Sequence, residues 1–210
     1  MRHYRTTYES VVDEALTLSV LAELEDKSSK EIDRLRLQKI IFLIAYRWFE
    51  KRWKGFNYPF FRYHWGPFTK DLYQTEMDLS VAGLIDGGRN WTLSLTPAGE
   101  SLAAEMIERV WCAEDNAHFW QDIQQVIGEF GDLTTSQLLR SLYDMEFMPL
   151  GWREAWEMRD IPIGTDLIRV LEDAEADEII EVLDEWIDTF GLTISRGARE
   201  SQDHLLYEPV

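Results

Sequence analysis

Apolar residues recur at helical spacing along most of the chain. Val12, Leu16, Val20 and Leu24 form an i, i+4 stripe that predicts a first helix over about 8–25. Ser28 and Glu31 have the spacing of a capping box, so a second helix is expected over about 31–53. Leu37, Ile41, Ile44 and Trp48 make its apolar face, and Gly55 ends it. Residues 56–65 are dense in aromatics and read as a loop or short strand. Gly66 then permits a turn, and Pro67 fits the first turn of a helix because its missing N–H costs nothing there. Leu72, Met77, Leu79 and Leu84 share a face, which predicts a helix over 67–84. Leu93 and Leu95 alternate with Thr92, Ser94 and Thr96, the period of a strand, so two short antiparallel strands are expected near 88–95. Further helices follow from Thr96-Pro97 at about 97–112, then at 117–129 and 135–145.

These elements predict a mainly α fold with a small β-hairpin wing: a winged-helix-like unit over 62–99, embedded in a helical domain over 1–148. A break near Met148-Pro149-Leu150-Gly151 separates it from an acidic extension over 149–210. Trp152 to Met158 reads as a short helical piece, and Leu192-Thr193-Ile194 as a short strand. Residues 165–190 have helical period, with Ile179, Val182, Leu183 and Trp186 as the apolar face. That stripe has to be buried, and packing on the basic second helix, near Arg36, Arg47, Lys51 and Arg52, is the expected solution, with docking on a partner or a second copy of the chain as the alternative.

The net charge of −18 changes the functional picture because it is unevenly placed. Residues 1–70 hold 13 Lys and Arg against 9 Asp and Glu, whereas residues 71–210 hold 8 against 30 and no lysine. Binding to duplex DNA needs a basic field, which only the first third could supply. The 67–84 helix offers just Lys70 and Gln74 for base or phosphate contact, against Asp71, Glu76 and Asp78. Nucleic acid is therefore not the expected partner, and the winged unit reads as a protein-contact scaffold. No apolar run is long enough for a signal peptide or a bilayer span, and the single cysteine, Cys112, excludes an internal disulfide framework. A cytoplasmic protein without a membrane partner is expected.

Candidate chemistry is sparse. Cys112 and His118 are the only close Cys/His pair, too few for a metal site, and Cys112 is expected to be a small core residue. No nucleophile elbow and no phosphate-binding glycine loop occurs. Carboxylate pairs in the second half are too numerous to carry information. The expectation is no catalytic residue, no metal and no cofactor.

Three segments together resemble the Panacea domain, the SocA-like antitoxin family: Leu35-Arg36-Leu37-Gln38-Lys39-Ile40-Ile41-Phe42-Leu43, Tyr63-His64-Trp65-Gly66-Pro67-Phe68-Thr69-Lys70-Asp71-Leu72-Tyr73, and Leu133 to Tyr143. The first two and the wing are also similar to YwgA-type proteins. The likeness covers roughly 10–148, and Trp65 stands where family members usually carry Tyr. It implies a non-enzymatic regulator that neutralises a partner protein, such as a co-encoded toxin, by stoichiometric binding. A DNA-binding regulator and an enzyme are the alternatives, and a homodimer stays open. Lys39, Arg47, Tyr63, Trp65, Gly66, Pro67 and Tyr73 are the candidate partner-binding residues. Tyr63 and Trp65 are expected first to pack under the next helix, with an interface role as the alternative. Lys39 is expected to cap loop carbonyls or to pair with Asp71.

Overall fold

The computed structural model describes residues 5–87 and 91–191. Helix α1 (Thr7–Lys27) runs through the middle, touching α2 (Arg34–Glu50), α3 (Asp71–Val81), α4 (Pro97–Met106) and α5 (Ala117–Phe130). Its predicted stripe is buried, and so are Leu18, Leu21, Thr17 and Ser19 on other faces. A helix enclosed on all sides has no polar face to keep. Its buried hydroxyls are therefore paired: Thr17 shares a hydrogen bond of 3.0 Å with the Tyr58 hydroxyl, and Ser19 Oγ accepts from Trp111 Nε1 at 2.7 Å. Thr6 and Glu9 form the capping box that starts α1.

The second helix begins later than the sequence suggests. Ser28 closes α1, and Asp33 is the residue that caps α2, accepting from the Arg36 N–H. The Arg36 side chain turns back from α2 and donates to the carbonyls of Lys30, Glu31 and Gly131 and to Ser28 Oγ. One buried guanidinium thereby ties the α1–α2 loop to the end of α5.

Residues 56–70 hold more strand than expected. β2 (Phe60–Tyr63) and β3 (Gly66–Phe68) form a hairpin, so the predicted 67–84 helix starts only at Asp71. Pro67 sits opposite Arg62 in β3. β3 is an edge strand of a three-stranded sheet, on one side of β2 with β8 (Asp166–Ile168) on the other, and an edge can accommodate a residue without an N–H. β4 (Ile85–Gly87) pairs antiparallel with β5 (Leu93–Leu95), the hairpin expected near 88–95; residues 88–90 lie outside the described residues. α4 continues into a π-helical turn, Ile107–Trp111, and Cys112 beyond it is exposed rather than part of the core. α6 (Thr135–Asp144) is capped by Thr134 and Gln137.

The acidic region departs most from expectation. Residues 165–183 are largely extended, interrupted by a 3-10 turn at Asp173–Glu175, and an α-helix forms only over 184–191. β8 (Asp166–Ile168) pairs with β2, and β9 (Glu178–Ile179) pairs in parallel with β1 (Trp53–Lys54). Ile180 and Val182 point inward, while Ile179, Glu181 and Leu183 point outward. That is a period of two, so the apparent helical stripe is split between the two faces of an extended chain. Of the basic residues expected to meet this region, Arg52 does so, donating to the Glu175 carbonyl. Arg36 serves the α1–α2 loop, and Arg47 and Lys51 face Asp122 on α5. The expected helical piece over 152–158 is also absent: Trp156–Glu157 is β7, paired with β6 (Glu146–Phe147). The expected strand at 192–194 lies outside the described residues. The architecture is mainly α with small, mostly antiparallel strand pairs, and no helix among the described residues is long and apolar enough to cross a membrane.

Candidate functional site

The first turn of α2, the tip of the β2–β3 hairpin, α3 and Trp91 converge on one groove of about 720 Å³, lined by Asp33, Arg34, Leu35, Trp65, Tyr73 and Trp91. Trp65 is 64% exposed, Tyr73 45% and Trp91 69%. Gly66, at φ +86°, lets the hairpin reverse directly behind Trp65 and throws the indole outward. The Tyr143 hydroxyl donates to the His64 carbonyl at 2.7 Å and pins the tip to α6. Tyr73 is held against Phe68, with ring centroids 5.6 Å apart, and Phe68 in turn meets Tyr63 at 5.3 Å. Trp91 adopts φ +65°, a conformation that costs a bulky residue free energy, and strain of this kind gathers at sites of function.

Arg34 forms the floor. Its guanidinium carbon lies 4.8 Å from the centre of the Trp91 ring and 5.8 Å from that of Tyr73, so it stacks on both. Arg34 Nε approaches Glu76 Oε2 at 2.6 Å, an ion contact whose angle lies outside hydrogen-bond alignment. Burial pushes the Glu76 carboxyl up to about 7, with Arg34 opposing the rise. Asp33, at the groove edge, is occupied: Oδ1 takes the Arg36 N–H and Oδ2 takes the Thr135 hydroxyl at 2.6 Å.

Among the residues singled out from sequence, Trp65 and Tyr73 line this groove, and Tyr63 is exposed beside it on the same hairpin. The first expectation for Trp65 and Tyr63, packing beneath the following helix, is not met, because both face outward. Gly66, Pro67 and Lys39 are buried directly underneath. Lys39 Nζ donates to the Pro67 carbonyl at 2.5 Å, which is the loop-capping role, and it makes no ion pair with Asp71. Burial first, and the neighbouring Arg62 charge second, lower its pKa to about 7. Arg47 stands apart. It is thirteen residues from Arg34 on α2, roughly 20 Å along the axis at 1.5 Å per residue, and faces Asp122 and Glu129. Arg34 and Trp91 are the groove residues that sequence reasoning missed. Arg34 carried one usable signal: it is the first residue after an Asp cap, where its side chain cannot follow the apolar face of α2.

A second concavity, about 560 Å³, lies between the start of α1 and residues 172–180, with Glu9, Lys54 and Asp173 in its wall. Its charges satisfy one another, since Lys54 Nζ binds Glu9 Oε1 at 2.7 Å and also contacts Asp173. Among the described residues no group of three His, Cys, Asp or Glu side chains is arranged to hold a metal ion.

No protein-family model matches the chain, and no curated protein or solved structure is similar enough to count as a match. The functional reading therefore rests on the groove itself.

Proposed function

We propose that this chain is a non-enzymatic regulator that binds a partner protein stoichiometrically, with the Trp65–Tyr73–Trp91 groove as its docking surface. The observation that carries the reading is the joint exposure of these three aromatic side chains around one arginine. Single exposed apolar residues are ordinary on a protein surface, whereas a contiguous aromatic cluster marks an interaction site. Trp, Tyr and Arg are also the residues that dominate binding energy at protein interfaces. Buried Lys39 supports the hairpin from below, so the aromatic tip is held ready without a partner.

The likeness of the 35–43, 63–73 and 133–143 segments to the Panacea family favours an antitoxin-like role, with a co-encoded toxin as the partner. In that reading α3 and the β4–β5 hairpin form a winged-helix-like unit used for protein contact, in a cytoplasmic protein. The charge of −18 argues against the DNA-binding alternative.

Affinity capture from the native host, read by mass spectrometry, tests the proposal. The parent chain and an Arg47→Ala control should each retain one partner in stoichiometric amount. A Trp65→Ala/Trp91→Ala double variant should retain at least tenfold less. Equal retention by all three would reject the groove as the docking surface.

A further inference from the structure

We propose that the groove recognises an acidic side chain, an Asp or Glu flanked by an apolar residue on the partner protein, and that Arg34 binds its carboxylate. This inference rests on the reading of the groove as a protein-docking surface and specifies what docks there.

The argument begins with the unused donors of Arg34. A guanidinium offers five N–H donors in a planar fork. Among the described residues, Arg34 is engaged only through Nε with Glu76 and through its faces with Tyr73 and Trp91. Its two terminal NH2 groups make no hydrogen bond to any described residue, although the side chain is one-third exposed and lines the groove. Two parallel N–H bonds from such a fork match the spacing of carboxylate oxygens, and charge-assisted bonds of this kind are about twice as strong as neutral ones. The stacked rings fix the guanidinium plane beforehand, so little side-chain freedom is lost on binding.

Three further features shape the charge that the groove presents. It opens at the N-terminus of α2, a seventeen-residue helix, where the backbone dipole favours an anion. The Asp33 carboxylate in the wall is turned to the Arg36 N–H and the Thr135 hydroxyl and makes no ion pair with Arg34 among the described residues. The Glu76 carboxyl is pushed up to about 7, so near neutral pH it offsets the arginine charge incompletely. An apolar neighbour is required because Trp65, Leu35 and Trp91 supply apolar walls on either side of that charge. A protein carboxylate fits better than a polyphosphate. A single acidic side chain acts over less than the screening length of about 8 Å, whereas a nucleic acid would meet the field of the whole acidic chain.

The test uses the full chain labelled with 15N at the indoles, titrated to millimolar concentration with blocked tripeptides. Acetyl-Trp-Glu-Leu-amide should shift the Trp65 and Trp91 indole resonances saturably, at least fivefold more tightly than acetyl-Trp-Gln-Leu-amide. Arg34→Lys, which keeps the charge but loses the fork, should reduce that preference to less than twofold. Equal binding of the Glu and Gln peptides at these indoles would overturn the carboxylate assignment while leaving the docking surface intact. Tighter binding of acetyl-Trp-Gln-Leu with a free C-terminus, or of acetyl-Trp-phosphoserine-Leu-amide, than of acetyl-Trp-Glu-Leu-amide would overturn it in favour of a chain end or a phosphate. No shift at either indole with any peptide would overturn it as well. Failure of the docking reading itself would be seen separately, as undiminished partner capture by the Trp65→Ala/Trp91→Ala variant.

Discussion

Replacing Lys39 by methionine should stabilise the protein at neutral pH and destabilise it at alkaline pH. Lys39 is buried beneath the β2–β3 hairpin and has no carboxylate partner among the described ion pairs. Its pKa falls from 10.5 to about 7 on folding. At about 1.4 kcal/mol per decade, that fall is a destabilisation of about 5 kcal/mol wherever the unfolded chain is protonated. Between 7 and 10.5 the unfolded chain binds the extra proton, so stability rises with pH across this window and is level below it. Methionine removes the titration but leaves the Pro67 carbonyl without its 2.5 Å donor, a loss of about 2 kcal/mol. The variant should therefore be more stable by about 3 kcal/mol at pH 6, equal near pH 9, and less stable by about 1 kcal/mol at pH 10. Urea unfolding followed by tryptophan fluorescence at one-unit pH steps gives the difference directly. In the parent chain the buried carboxyls of Asp13, Glu14 and Glu76, each raised to about 7 chiefly by burial, add the opposite limb. They bind more protons when folded, so their contribution falls as pH rises from about 4 to 7. The parent should accordingly show a stability minimum near neutrality. A Lys39→Met difference that stays constant from pH 6 to 10 would refute the reasoning.

Other perturbations follow from the same contacts. Arg36→Ala strands the carbonyls of Lys30, Glu31 and Gly131, and should cost at least about 3 kcal/mol in urea unfolding. Gly99→Ala places a Cβ against the Leu84 carbonyl oxygen, backbone that cannot yield cheaply, and should cost about 1–3 kcal/mol, read as a lower Tm. Random duplex DNA should show no gel-shift affinity at physiological salt, since most of the chain repels phosphate.

The helices were legible where one face meets the core and the other meets water. The apolar stripes of α5 and α6 are of this kind, and their boundaries fall within a few residues of the periodicity, whereas α2, like α1, is buried nearly all round. Two local signals misled for physical reasons. Gly66-Pro67 suits a helix start and an edge-strand turn equally well, and only the pairing of β2 with both β3 and β8 selects the strand. Ile179, Val182 and Leu183 are spaced as a helical face, yet the hydrogen bonds available from β1 hold this stretch extended. The candidate site was half legible. Trp65 and Tyr73 were reachable from the aromatic run and its turn, although exposure of Trp65 was not. Arg34 and Trp91 come together only through the tertiary fold, fifty-seven residues apart in sequence.

Hydroxyl-radical footprinting of the chain alone and in complex with its captured partner addresses the docking claim most directly. The account predicts that oxidation of Trp65 and Trp91 falls at least fivefold in the complex, while exposed Trp156, outside the groove lining, keeps its free-state reactivity. Undiminished oxidation of Trp65 and Trp91 in a stoichiometric complex would contradict it.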